Sequence, residues 1–450
     1  MPTSTLSRRQ FLQGCSAAIA AMAGARLTHV AFADPNAPSA FNDEILVVVF
    51  LRGGWDALNV FPPLADPDRG YYETARQYLK VPIAQALSLN GQLGMHPSLA
   101  PLYPLYQAGR LAVVQAVGLD EDTRSHFDAM QYMELGTPGI KTTGSGWITR
   151  HLQSATNLPS EILLPALSAG SSQAVSLLGS TEAAAMSSPS AFTINGHWQW
   201  GAPQRTALRG LYTGSHWLYE AATRTLDTLD LVESAASGTY TPANGAVYPN
   251  NSFGNNLKTI AQLIKADLGL RVATIDLGGW DTHENQGDGS GGYLATTQLQ
   301  PMAQALAAFY TDLSNFACAQ DYTRKLTLAV MSEFGRRLKE NANHGTDHGH
   351  GNAMLVLGGN VNGGQVYGSW PGLHNDQLYD HTDLAVNTDY RRVLSEIVTK
   401  RLQNPNLDQV FPDYVGYTPL GLVKGASGSA PPLDGPYRVF LPVALNNYCE

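Results

Sequence analysis

The stretch NHGTDHGHGNAM, residues 343–354, sets His344, His348 and His350 beside Asp347 in a run broken by glycines. Structural loops seldom need two imidazoles alternating with glycine. Groups that titrate crowd together when something between them uses their lone pairs, and the chemistry this predicts is metal ligation. A second group is WDTH, with Asp281 and His283, and single acids stand at Asp56 in RGGWDALN and Glu333 in MSEFGRR. Mixed carboxylate and imidazole donors suit Zn or Mn, and also Fe, better than Ca or Mg. The ligand set Asp56, Asp281, His283, Glu333, Asp347, His348 and His350 suffices for one or two divalent ions. A pair of ions can clamp both oxygens of a displacement at phosphorus or sulfur. Each motif alone has a plainer use: Asp56 and Asp281 as caps, Glu333 as partner of Arg336 or Arg337.

The elements that must position these residues are legible as apolar runs. EILVVVFLRGGWDALN, LRVATIDLGGWDTHENQG and KLTLAVMSEFGRR each read as a buried strand that delivers an acid just past its carboxyl end. RLAVVQAVGL and AMLVLGGNV read as two more strands. Helix-like stretches lie between them, in FDAMQYMELG, TTQLQPMAQALAAFYTDLSNF and TDYRRVLSEIVTKRL. Strands alternating with helices predict an α/β fold, a mostly parallel central sheet with helices on both faces. Ligands in such sheets bind at the carboxyl ends of the strands, and that rule gathers the candidates onto one edge. Residues from about 169 to 250, rich in Ser, Ala, Gly and Thr, read as a cap-like excursion from the sheet. After them the domain runs on to 424, and 425–450 reads as a linker followed by one terminal strand.

The first 33 residues are excluded from the fold. Arg8-Arg9, then Phe11-Leu12, an alanine-rich apolar run and AFA ending at Ala33 read as a twin-arginine export signal. The expected partner in transit is the twin-arginine translocase, and the expected location is the periplasm or outside the cell. The apolar run is too short to span a membrane, so no integral membrane segment is expected after cleavage. Three arginines and no acid precede the cut, which moves the formal charge from −9 to −12. So acidic a protein is a poor nucleic-acid binder. Only Cys318 and Cys449 remain, allowing at most one disulfide.

LRGGWDALN, SHFDAMQYMELG, GGWDTHENQG, MSEFGRRLKENANHGTDHGHGNAM and TDYRRVL, in that order over residues 43–402, resemble the domain-of-unknown-function 1501 family. That family comprises exported bacterial proteins grouped with the alkaline-phosphatase and sulfatase superfamily. The resemblance implies an alkaline-phosphatase-like sheet over residues 34–424 with a metal site at its edge, and it supplies no reaction. It also implies that Asp56 holds one metal and that Asp281 with His283 holds a second. The superfamily's DHG signature falls either on Asp347-His348 or, by strand position, on Glu333, with His348 or His350 returning later as donor. Superfamily hydrolases place a hydroxyl nucleophile at a helix start, which puts Ser125 and Thr123, beside Arg124, in that role. Ser and Thr at helix starts are also common caps. Arg52 or Arg124 would hold the substrate's remaining oxygens. Cys318 and Cys449 lack the Pro and Arg that a formylglycine sulfatase needs. The expected function is an exported metal-dependent hydrolase of small anionic phosphate or sulfate esters. The alternative is a non-catalytic envelope or surface protein that keeps the fold.

Overall fold

Strand β1 (Ile45–Leu51) is buried along its whole length. Ile45, Val47, Val49 and Leu51 enter one core, and Leu46, Val48 and Phe50 enter another. Side chains alternate across a strand, so a strand apolar at every position must be covered on both faces. The computed structural model describes residues 41–159, 162–194, 201–236, 238–314 and 321–426. The export signal, the cleavage site at Ala33, Cys318, Cys449 and all but the first two residues of the expected terminal linker and strand lie outside them.

Eight further strands join β1 in a nine-stranded sheet: β2 (Leu111–Gly118), β3 (Ala166–Ala169), β4 (Ala183–Met186), β5 (Val272–Leu277), β6 (Leu326–Ser332), β7 (Asn352–Leu357), β8 (Val366–Tyr367) and β9 (Thr388–Asp389). The order is β8-β2-β7-β6-β1-β5-β3-β4, with β9 also on β2. β1 is parallel to β5 and β6, with Val48 opposite Thr274 and Ala329. β7 alone runs antiparallel to its neighbours, pairing with β2 and β6. The sheet is thus mixed and mostly parallel. The reversal has a local cause: β6 and β7 are successive strands joined by one loop, 333–351, which returns at the edge it left. That loop carries the histidine-rich stretch.

Helices cover both faces. On one lie α1 (His126–Leu135), α2 (Trp147–Ser154) and, late in the chain, α7 (Tyr390–Glu396), burying Met133, Trp147 and Leu394 in the second core. On the other lie α5 (Ser252–Lys265) and α6 (Gln300–Leu313), burying Leu257 and Phe309 in the first. Between them the stretch expected as a cap departs from that reading in part. It supplies β4 as a strand parallel to β3 at the sheet's edge. It then forms α3 (Gly201–Leu211) and α4 (Trp217–Ala236), tied by Arg209–Asp227 at 2.6 Å and Arg205–Asp230 at 2.7 Å. Its end is fixed by Asp312 on α6, a fully buried carboxylate that accepts the Tyr240 and Tyr248 hydroxyls at 2.8 Å each and the Lys265 ammonium at 2.5 Å. The alanine-rich β4 carries none of the branched residues that mark a strand in sequence.

Candidate metal centre

Four strands running the same way, β1, β2, β5 and β6, end at one edge, and the segments that follow them carry the candidate residues. Past β1, Gly53 takes φ +123°, and a Cβ there would stand 2.5 Å from the backbone N of Asp281. Only glycine lets the turn after β1 lie against the turn after β5. Past β2, Ser125 caps α1, its hydroxyl oxygen accepting from the Asp128 N–H at 3.4 Å, and the first helical residue is His126. Past β6, Glu333 begins the long loop to β7.

Asp281 lies at the centre of what these turns deliver. Its Oδ1 is 3.2 Å from His126 Nε2, 3.0 Å from His283 Nε2, 3.1 Å from His348 Nε2 and 2.7 Å from Arg336 Nη2. His283 Nε2 and His348 Nε2 are 2.8 Å apart. Ligand atoms of His126, Asp281 and His348 lie within 4.8 Å of one another, the one such group among the described residues. His283 stands at its margin. Phe334 floors the group, its ring centre 4.8 Å from that of His126 and 5.0 Å from that of His348. Above, the site is open: Asp281 is 47% and His283 42% exposed.

The other nitrogen of each ring is already engaged. His348 Nδ1 lies 2.8 Å from the main-chain carbonyl oxygen of Arg124. A carbonyl only accepts, so this nitrogen carries the hydrogen and the neutral ring leaves Nε2 bare. His126 Nδ1 donates in the same way to Glu333 Oε1 at 2.7 Å, and His283 Nδ1 to Asp347 Oδ1 at 3.3 Å. Glu333 is itself fully buried and held by the Gly53 N–H at 2.7 Å and by Ser332 Oγ at 2.9 Å. In their neutral forms the three imidazoles therefore turn bare lone pairs toward one carboxylate oxygen. His126 Nε2 is buried and makes no hydrogen bond at all, despite its 3.2 Å approach to Asp281.

Charge decides what belongs there. Arg336, buried and bonded to the carbonyls of Gly53, Gly54, Trp280 and Thr346 as well as to Asp281, holds the Asp281 carboxyl well below the usual range against the opposing effect of burial. Burial pushes the His126 imidazole down, and Glu333 and Asp281 together more than reverse this, so its pKa stands above the ordinary value. Burial keeps His348 below it. Filling the site with protons would require like-charged rings in contact. A divalent cation satisfies all the lone pairs at once, and the rings' Nδ1 partners are of the kind that orient histidine ligands. Around zinc, tetrahedral donors bonded at about 2.0–2.1 Å are roughly 3.3 Å apart, and the donor separations of 2.8–3.2 Å are of that scale. The residues fit a metal.

Of the seven ligands expected from sequence, five converge here, in two different positions. Asp281, His348 and His283 point donors inward, while Glu333 and Asp347 stand behind histidines. Two stand apart. Asp56 is fully buried with Oδ2 taking Arg76 Nη1 and Gln286 Nε2 at 2.6 Å each, so a guanidinium already neutralises it. His350 is stacked on Tyr379 at 4.2 Å between ring centres, its pKa lowered by burial. Reading Asp56 as a ligand relied on its place after β1 and missed Arg76, twenty residues on. His126, which opens the helix after β2, joins the candidate donors without standing among the ligands expected from sequence.

The three residues expected to act on substrate also have structural partners. Ser125 is the N-cap, Thr123 Oγ1 accepts from the Ser125 N–H at 3.2 Å, and Arg124 is paired with Asp383 at 2.8 Å and Asp380 at 3.2 Å. Arg52 is paired with Glu134 at 2.8 Å and Asp276 at 2.9 Å. Arg337 is different. Its side chain is 41% exposed, its Nε makes no hydrogen bond, and its nearest carboxylate oxygen, Asp383 Oδ1, is 3.9 Å away. It also helps hold the neighbouring Asp347 ionised, after Asn341 and His283.

Residues 210–401, somewhat less than half of the chain, match the family described as "Protein of unknown function (DUF1501)". A domain of this family is therefore present, and it contains Asp281, His283, Glu333, Asp347 and His348 but not His126. Among curated proteins, none matches the chain.

Proposed function

We propose that the chain, which carries a DUF1501 domain around these ligands, is an exported metal-dependent hydrolase of phosphate or sulfate esters with an alkaline-phosphatase-like sheet. One observation supports this reading above the others: three imidazoles with their Nδ1 hydrogens engaged turn bare Nε2 atoms toward Asp281 at a solvent-open sheet edge. His126, Asp281 and His348 would hold one ion, with His283 beside them, and zinc or manganese suits the donors. When bound, the ion would supply Lewis acidity toward an ester oxygen. Asp56 bound to Arg76 favours one ion over the expected pair.

The chain's own groups have separable tasks in this reading. Arg336 keeps Asp281 ionised. Arg337, the guanidinium least engaged by carboxylates at the site, orients the substrate's anionic oxygens in place of Arg52 and Arg124. Ser125 Oγ, at the N-terminus of α1 where the helix favours negative charge, attacks phosphorus or sulfur. The alcohol leaves with the serine's proton, and water then releases the anion and restores the hydroxyl.

The test joins elemental analysis to turnover of aryl phosphate and aryl sulfate esters. His126→Ala, Asp281→Ala and His348→Ala should each lose metal and turnover together, while Asp56→Asn should keep the metal. Full metal occupancy in all three alanine variants would end the ligand assignment. Ser125→Ala should abolish turnover with metal retained; loss of about 1 kcal/mol of stability with turnover intact would make it a cap only. Metal without turnover of any ester would favour the non-catalytic envelope protein.

A further inference from the structure

A cleft of about 580 Å³ opens at the other edge of the sheet, where β2 begins and β7 ends. Its lining includes Arg110, Asn362, Gln365 and Lys424, with the backbone of Gly109 and Gly363 between them. No Asp or Glu lines it among the described residues, in a chain whose formal charge is −9. Arg110 spends one nitrogen on the Gly359 carbonyl at 2.6 Å and has no carboxylate partner among the described residues. Lys424 is exposed and likewise has none. Glu396, a buried acid bonded to the lining segment, takes the backbone N–H groups of Leu420, Gly421 and Val423 and the Lys400 ammonium, so its charge is satisfied behind the wall.

We infer that this cleft is a second ligand site, separate from the histidine cluster, for a small polar molecule bearing a phosphate-type dianion. Two cations without counter-ions in one concavity attract an anion, and a guanidinium fixed at one nitrogen presents the rest of its fork without further ordering. The volume suits a small molecule. Asn362 and Gln365 offer polar rather than apolar contacts, which disfavours a lipid. Two cations are too few for a nucleic-acid track in a chain of this net charge.

Calorimetric titration of the full chain with inorganic phosphate tests the site. Phosphate should bind, and Lys424→Glu and Arg110→Gln should each weaken binding on the order of tenfold with metal content unchanged. That binding should persist in His348→Ala, which removes a donor from the other edge. Lys424 is exposed, so its substitution leaves the fold intact. Absence of phosphate binding at millimolar concentration, or binding that only His348→Ala removes, would overturn the inference. Native affinity in both cleft variants would do the same.

Discussion

Glu333 shows how much a carboxylate does one bond behind a ligand. It is buried, it receives the His126 Nδ1 hydrogen, and it decides which nitrogen of that ring faces Asp281. Glu333→Gln keeps an acceptor but removes the charge, and metal affinity should fall about 10- to 100-fold, read by competition with a chelator. Acid should act on the same ring. Because His126 has its pKa raised, it is protonated earlier than an ordinary histidine as pH falls, and a proton on Nε2 excludes the ion. Bound metal competes with that proton, so release on acidification should begin below the pH at which the empty site charges His126. Glu333→Gln changes the affinity of Nε2 for the proton and for the metal together, so it should move that onset. An unchanged onset would show that another group controls release. Sequence announced this neighbourhood through residue types, since DHGH and WDTH are rare company for structural loops. It could not assign donor against supporter: Glu333 and Asp281 both follow a strand, and only their three-dimensional partners separate them.

The loop between β6 and β7 explains the glycines that accompany the histidines. Gly335, Gly345, Gly349 and Gly351 all have ordinary negative or extended φ angles, so handedness does not require them. Space does: a Cβ on Gly349 would stand 2.5 Å from the Arg336 carbonyl carbon, and one on Gly345 2.2 Å from that of His283. The backbone strands of the loop are packed against one another to bring His348 and Arg336 to the same carboxylate. Gly349→Ala should cost about 1–3 kcal/mol, as overpacking does, and should weaken metal binding by moving His348; unaltered denaturation midpoint and metal affinity would refute this packing argument. The long strands were readable because their apolar runs are continuous and bounded by glycine. The edge strand β4, AAAM, was not, since alanine carries no period, and β8 and β9 are two residues each. The reversal of β7 was equally hidden, because a strand buried on both faces reads the same in either direction.

At the scale of the whole molecule, the proposed export rests on the N-terminal pair of arginines. The paired Arg8 and Arg9 precede a chain that is otherwise acidic, and Arg8→Lys with Arg9→Lys should leave uncleaved precursor in the cytoplasm. Normal periplasmic accumulation of that variant would exclude the twin-arginine route. The two cores lie on opposite faces of the sheet, and the candidate metal donors sit on the segments its long strands feed. His126, Asp281 and His348 are separated by 155 and 67 positions along the chain. An ion bound to all three closes two large loops, so it acts as a removable cross-link between distant parts of the sequence. Binding only the folded form, it stabilises by about 2.7 kcal/mol at a hundredfold excess over its dissociation constant, and stripping it should lower the melting temperature reversibly. In the proposed reading the ion would also act as a reporter: a chain that had not gathered its turns could not retain it, and one that retained it would have its sheet edge complete.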